Sequence, residues 1–169
     1  MAQAPAPAAP SSDLSALARR SSEQPAAGSQ PEKSCGCPKR KVHGIELKYL
    51  KFQNMSHVGH SWYEMQGGQS VGWWPSPQSW RIGSFVNTNG AVNNGRARDP
   101  HHGDAADTTY DLYTRDGDCR TDEEIQRCIR NYYYGKQASG ARYSVMSWDV
   151  CHSVANEASS HCKLTQQAR

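Results

Sequence analysis

The position of the bulky side chains constrains this chain more than any other feature. All eight Tyr, all five Trp and both Phe lie in residues 42–169, and the first of them is Tyr49. Residues 1–34 hold nine Ala, five Pro, seven Ser and three Gln instead. Such a segment has almost no apolar surface to bury. Nothing therefore offsets the roughly 1–2 kcal/mol per residue that backbone ordering costs. Residues 1–41 read as a disordered Ala/Pro/Ser-rich arm ending in a basic hinge, and residues 42–169 as the single folded domain. A domain of that length can close one core without metal or disulfide support.

Charge divides along the same line. Residues 1–41 carry six Lys/Arg against three Asp/Glu, whereas residues 42–169 carry thirteen of each. The formal charge of +3 thus belongs to the arm and its Pro38-Lys39-Arg40-Lys41 cluster. A nucleic-acid-binding domain needs positive charge on its own surface, and a neutral domain is not expected to be one. No run approaches the 18 or so apolar residues of a membrane-spanning helix. The opening Met-Ala-Gln-Ala-Pro lacks the early Lys/Arg and apolar run of a signal peptide. The expectation is a protein made in the cytoplasm and, if exported, carried to the periplasm or a target cell by machinery that reads something else.

The six cysteines are Cys35, Cys37, Cys119, Cys128, Cys151 and Cys162. Cys119 and Cys128 are placed to pair across a helix start, if the protein matures in an oxidising compartment. Cys35-Gly36-Cys37 with His43 makes three zinc ligands and lacks a fourth. No metal and no cofactor are expected.

Periodicity gives the elements. Ile45, Leu47 and Tyr49 alternate with Glu46 and Lys48, a half-buried strand. Residues 60–66 and 69–74, joined by Gly67-Gly68, form an aromatic-rich hairpin that Pro75 and Pro77 stop. Residues 87–109 are punctuated by Asn-Gly, Asp-Pro and Gly and read as loop. Thr121 and Glu124 make a capping box. It opens a helix whose buried stripe is Ile125, Cys128, Ile129 and Tyr132, and Gly135 ends it. After an extended approach over 141–148, Asp149 caps a last helix from about Cys151 to Cys162. The order is that of an α+β domain with an antiparallel sheet.

Two residues stand out chemically. Cys151 falls in the first turn of the last helix, where unpaired N–H groups favour a thiolate and can stabilise an oxyanion beside it. Pairing with Cys162 is excluded along a continuous helix, because eleven residues span about 16 Å. His60 heads a strand, where a general base is held with little freedom. His152 points about 100° around the helix from Cys151 and is a poor base; His57, His101 and His102 are the other candidates.

The succession Gly59-His60-Ser61-Trp62-Tyr63-Glu64, then Ser70-Val71-Gly72-Trp73-Trp74-Pro75, then Tyr143 and a Cys151-headed helix resembles circularly permuted members of the NlpC/P60 (papain-like) superfamily. In that branch the histidine precedes the cysteine, and some members are bacterial secreted effectors. Val150 stands where such relatives often have Asn. The resemblance implies a papain-like sheet packed on a cysteine helix, with Cys151 as nucleophile and His60 as base. The third, orienting residue is sought among Glu64, His102 and Asp99. Glu64 lies about 13 Å along the strand from His60, too far to orient its ring, so the 99–102 loop folded back supplies that residue; His102 is taken as the third member.

The function implied is a cysteine amidase or endopeptidase acting on peptidoglycan stem peptides, an antibacterial toxin with an immunity or secretion-machine partner. Two alternatives remain. One is a thioesterase, phospholipase or acyltransferase on the same fold, which needs an apolar groove beside Cys151. The other is a non-enzymatic, disulfide-supported binding module, in which Cys151 is oxidised or buried away from any histidine.

Overall fold

In the computed structural model, which describes residues 36–52, 59–77, 88–144 and 150–169, the alternation after Ile45 becomes strand β1, Ile45–Lys51, with Ile45 and Leu47 buried. The hairpin follows as β2, Gly59–Met65, and β3, Gln69–Pro75. Met65 faces Gln69, and the intervening turn has φ of +76° at Gly67 and +71° at Gly68, a left-handed backbone that glycine adopts without steric cost.

Four more strands complete the sheet: β4 (Thr88–Val92), β5 (Thr108–Tyr113), β6 (Arg142–Tyr143) and β7 (Thr165–Ala168). Their order is β6-β4-β3-β2-β1-β5-β7, with every neighbouring pair antiparallel. Helices α1 (Asp122–Ala138) and α2 (Cys151–His161) pack on it. The domain is therefore a mixed α+β fold, a multi-stranded antiparallel sheet against two helices. Its core joins Ile45, Leu47, Tyr63, Val71 and Trp73 of the sheet to Ile125, Ile129 and Tyr133 of α1 and Val154, Ala155 and Ala158 of α2. Each aliphatic side chain fully buried there contributes about 1.5–3 kcal/mol. No helix among the described residues is long and apolar enough to cross a membrane.

Helix α1 begins as the sequence predicts, with the Thr121 and Glu124 side chains and backbones bonded reciprocally. It does not stop at Gly135. That residue has open space around its Cβ position, and the helix runs on to Ala138, ending just before Gly140 at φ +72°. The penalty of about 1 kcal/mol for an internal glycine is outweighed by the packed stripe that precedes it, Ile125, Ile129 and Tyr133.

The stretch 87–109, expected to be loop, contains β4 and the first residues of β5. In β4 the Asn89-Gly90 pair is not a turn. A Cβ on Gly90 would lie 1.9 Å from Cζ2 of Trp73, so the glycine is there to let that ring lie flat against the backbone. In β5 only Leu112 is fully buried, too little to impose a visible alternation. The last residues of the segment read as a basic hinge are fixed to the sheet and to the start of α1. Cys37 is bridged to Cys119, the Arg40 guanidinium pairs with Asp122 and donates to Arg120 O at 2.7 Å, and Lys41 Nζ meets Asp111 at 2.7 Å.

The cysteine pairing differs accordingly. Cys119 lies before α1 facing the returning N-terminal segment, while Cys128 lies on the stripe facing the end of α2. The bridges are Cys37–Cys119 and Cys128–Cys162, with Cα atoms 5.2 and 6.0 Å apart, rather than Cys119–Cys128. The expectations for Cys35, His57 and the Asp149 cap, and for the arm itself, lie outside the described residues.

Candidate active site

The site sits where the sheet divides. β2 and β3 pair from Met65/Gln69 to Trp62/Gly72 and no further. Beyond that point β3 pairs with β4, from Trp73/Val92 to Pro75/Gly90, while Gly59, His60 and Ser61 pair only with β1. His60 thus projects into the opening between the diverging strands, and its side chain is 2% exposed. Its ring lies parallel to that of Trp62, with centroids 5.7 Å apart, and 4.0 Å from that of Trp74.

Asp99 enters the same opening. Its Oδ2 lies 2.9 Å from His60 Nε2 and accepts from Trp74 Nε1 at 2.8 Å, while its Oδ1 accepts from the His101 N–H at 2.9 Å. Burial alone would push this carboxyl's pKa up. The hydrogen bonds and charge from His60, with those from Trp74 and His101, outweigh burial and hold it below the usual value, so Asp99 stays ionised.

Two buried groups keep it there. Ser70 Oγ accepts from the Asp99 N–H at 2.9 Å. Asn93 accepts from the Gly72 N–H at 2.9 Å and donates to Ser70 O at 3.0 Å, which ties the loop back onto β3. Gly72 supplies the room: a Cβ on it would lie 1.9 Å from Asp99 Oδ2 and 2.9 Å from His60 Nε2.

Cys151 approaches from α2 as the first helical residue. It is buried and free of any disulfide, and its thiol is 3.4 Å from Gly59 O, to which it can donate. The same sulfur lies close enough to the His60 ring to interact with it electrostatically. With Nε2 held by Asp99, Nδ1 is the ring nitrogen left for it. Burial lowers the His60 pKa, but the hydrogen bonds to Asp99 and Cys151 and their negative charges push it up to about 9. The group is therefore largely imidazolium near neutrality, the partner a thiolate needs.

The helix that carries the sulfur is fastened along its length. The Tyr63 hydroxyl, on the face of β2 opposite His60, bonds to Ala155 O and Ser159 Oγ, each at 2.7 Å. At the C-terminal end Cys162 is bridged to Cys128. At the other end, the Val150 N–H donates to Ser153 Oγ at 3.0 Å. The distance between sulfur and imidazole is thus set by elements that do not themselves react.

The structure brings His60 and Cys151 together and leaves His102 apart. His102 Nδ1 is 4.0 Å from Glu64 Oε1 and has no hydrogen-bond partner, and the position expected for it against His60 is taken by Asp99. Glu64 does not touch His60 either. It accepts from the Gly103 N–H at 2.7 Å and from Trp62 Nε1 at 3.1 Å and pairs with Lys48 at 2.7 Å, so it fastens the far end of the Asp99 loop. His152 turns to Ser61, and His101 lies against the Trp74 ring with its Nδ1 on Asp104. Among the described residues no group of three or more His, Cys, Asp or Glu side chains is arranged to hold a metal ion.

One polar neighbour of the sulfur had no role from sequence. The Tyr143 hydroxyl, brought in by β6, lies beside Cys151, near both its sulfur and its backbone N–H. Burial first, then the sulfur's charge, pushes its pKa well up, so it remains a neutral donor. A lone tyrosine eight residues before a cysteine carries no chemical signal; only the sheet register, with Tyr143 opposite Thr88, delivers it.

Comparisons with protein-family models, with curated proteins and with solved structures returned no match to this chain. The chemistry of the site stands on its own geometry. It holds a buried, unbridged thiol at a helix N-terminus, a histidine ring beside its sulfur, a carboxylate on Nε2 of that ring, and O–H and N–H groups nearby. That is the set of parts acyl transfer requires.

Proposed function

We propose that this protein is a cysteine hydrolase of the papain-like kind, an amidase or endopeptidase in which Cys151 attacks an amide carbonyl. The observation that carries the reading is the continuous chain Cys151–His60–Asp99, buried in the sheet opening. The thiolate adds to the carbonyl carbon, and the resulting oxyanion takes hydrogen bonds from the Cys151 N–H and the Tyr143 hydroxyl. The His60 imidazolium gives its proton to the leaving amine as the C–N bond breaks. Water, deprotonated by the now neutral His60, then cleaves the thioester, releases the acid and restores the thiolate–imidazolium pair. Asp99 keeps Nδ1 aimed at the sulfur and stabilises the imidazolium.

The likeness of the His60 and Cys151 segments to permuted NlpC/P60 proteins supports placing the amide in a peptidoglycan stem peptide, with export to a target compartment. An oxidising destination agrees with the two disulfides among the described residues. The test is release of new amino termini from purified peptidoglycan. The native protein releases them and Cys151→Ala does not. Equal release by both would reject the reading.

A further inference from the structure

A second nucleophile and base stand beside the first. Successive residues of a strand face opposite ways, so Ser61 leaves β2 on the side away from His60. His152 leaves α2 about 100° around the helix from Cys151. The two side chains meet, Ser61 Oγ hydrogen-bonded to His152 Nδ1. Tyr49 lies directly across from Ser61 on β1, and its ring packs edge-on against the imidazole, with centroids 4.7 Å apart. Gly59 makes room for that ring, since a Cβ there would lie 2.5 Å from Tyr49 Cε2. Ser61, His152 and Tyr49 all line one groove of about 380 Å³, a volume within the range of small-ligand sites.

The bond is not required to hold α2 in place, because Tyr63 already ties that helix to β2 and the Cys128–Cys162 bridge ties it to α1. Its chemical state suits a reaction instead. The titratable side chains around His152 are Tyr49 of β1, Tyr110 of β5, and His60 on the other face of β2, with Asp107 acting on Tyr49. Burial, and after it the charge of His60, hold the His152 pKa below its usual 6.5, so the ring is neutral near pH 7. A neutral imidazole keeps one nitrogen free to accept. With the ring proton on Nε2, Nδ1 accepts from the Ser61 hydroxyl, which is the arrangement that activates a hydroxyl nucleophile. The two histidines are thus held in opposite states, His60 protonated beside a sulfur and His152 unprotonated beside an oxygen.

We propose that Ser61 and His152 form a second acyl-transfer site, independent of Cys151, that hydrolyses small uncharged esters. Among the described residues lining the groove there is no Asp, Glu, Lys or Arg, so it has nothing with which to pair an ionic group. The floor strands are hydrogen-bonded on both sides, β1 to β2 and β5, and β5 to β1 and β7, so the floor offers no free N–H groups as an oxyanion hole. An amide depends heavily on such donors and on protonation of its amine; an ester with a good leaving group depends less on both. Ser61 Oγ adds to the ester carbonyl carbon while His152 Nδ1 takes its proton. The bond to the leaving oxygen then breaks, and the alcohol departs with that proton. Water, deprotonated by the same nitrogen, splits the acyl-serine, releases the acid and restores the Ser61 hydroxyl.

The test uses the full-length, disulfide-intact Cys151→Ala protein, with p-nitrophenyl acetate as substrate and a small ethyl fluorophosphonate as covalent probe. Nitrophenolate release is expected to persist without the sulfur, and peptide mapping to place the phosphonyl group on Ser61. Adding Ser61→Ala, which removes a single oxygen, abolishes both while the melting transition stays cooperative. Adding His152→Ala slows Ser61 labelling by about 100-fold or more. With His152 present, the labelling rate rises with pH to a plateau whose midpoint lies below 6.5. A bond that merely fastened the helix would give no adduct and no such profile. Absence of an adduct on Ser61, labelling unchanged by His152→Ala, or a midpoint near the 9 of His60 would each overturn the proposal; the midpoint decides even if His152→Ala does not fold. The two readings fail separately. An unlabelled Ser61 leaves Cys151-dependent amide cleavage by the native protein untouched, and absence of that cleavage leaves the Ser61 adduct in place.

Discussion

Replacing Gly72 by alanine isolates the contact on which the site depends. The new Cβ would lie 1.9 Å from Asp99 Oδ2 and 2.9 Å from His60 Nε2. The carboxylate must retreat by about 1 Å to reach even a tight non-bonded contact. The imidazole cannot follow it past the same methyl group, so the 2.9 Å bond between them is lost. A charge-assisted hydrogen bond of this sort is worth about 1.5–3 kcal/mol, and a displacement of about 1 Å in a reacting constellation costs about 100-fold in rate. With Asp99 withdrawn, the His60 pKa should fall from about 9 towards the ordinary value of 6.5. Histidine ring titration by NMR reads that fall directly, and the pH dependence of iodoacetamide alkylation at Cys151 reads its consequence. Gly90→Ala is the control. Its Cβ would strike Trp73 just as closely, at 1.9 Å, and should lower the melting temperature without moving the His60 titration. A Gly72→Ala protein whose His60 still titrates near 9 would refute the packing account of the site.

Reduction should unfold much of what oxidation holds. Loop-closure entropy assigns about 4 kcal/mol to Cys128–Cys162, across 34 residues, and about 4.5 kcal/mol to Cys37–Cys119, across 82; thermal melts with and without dithiothreitol measure the sum. Because folding raises the His60 pKa from 6.5 to about 9, its protonation stabilises the fold fully below pH 6.5 and ceases to do so as the pH rises through 9. That is at most about 3 kcal/mol, and denaturant titrations across that window should show a smaller fall for Asp99→Asn than for the native protein. Gly135→Ala, in mid-helix with open space around the new methyl, should raise stability by about 0.5–1 kcal/mol in the same measurement.

Those parts of the site that depend on one chain position alone were legible in the sequence. Cys151 heads a helix, and His60 leads a hairpin strand whose glycine turn is unmistakable. Asp99 was harder, since nothing in Arg98-Asp99-Pro100 separates a buried orienting carboxylate from an ordinary turn residue. Its selection over His102 and Glu64 is made by Gly72, twenty-seven residues earlier, and by the Ser70 and Asn93 bonds that hold the loop down. The fold divides the same way. Strands β1 to β3 carry strong alternation. In β4 Asn89-Gly90 imitates a turn, because the physical reason for its glycine, the Trp73 ring, lies on another strand. The disulfides were the least legible, since pairing is decided by which Cα atoms the finished fold brings within 5–6 Å.

The architecture also explains why an ion pair can be kept this deep. Burying an imidazolium carries a desolvation penalty of several kcal/mol, which is recovered only if each hydrogen-bonding position around it is filled. A continuous sheet cannot fill them, because its strands stand too close for a carboxylate to enter between two side chains. Ending the β2–β3 ladder at Trp62/Gly72 and deleting one Cβ makes the gap. Trp62 and Trp74 then close it against water, and α2, fastened through Tyr63 and Cys162, brings the sulfur beside the His60 ring. The aromatic residues that marked out the domain in the sequence thus serve the charge as well as the core: rings that exclude solvent around His60 are what let Asp99 and Cys151, rather than water, set its protonation.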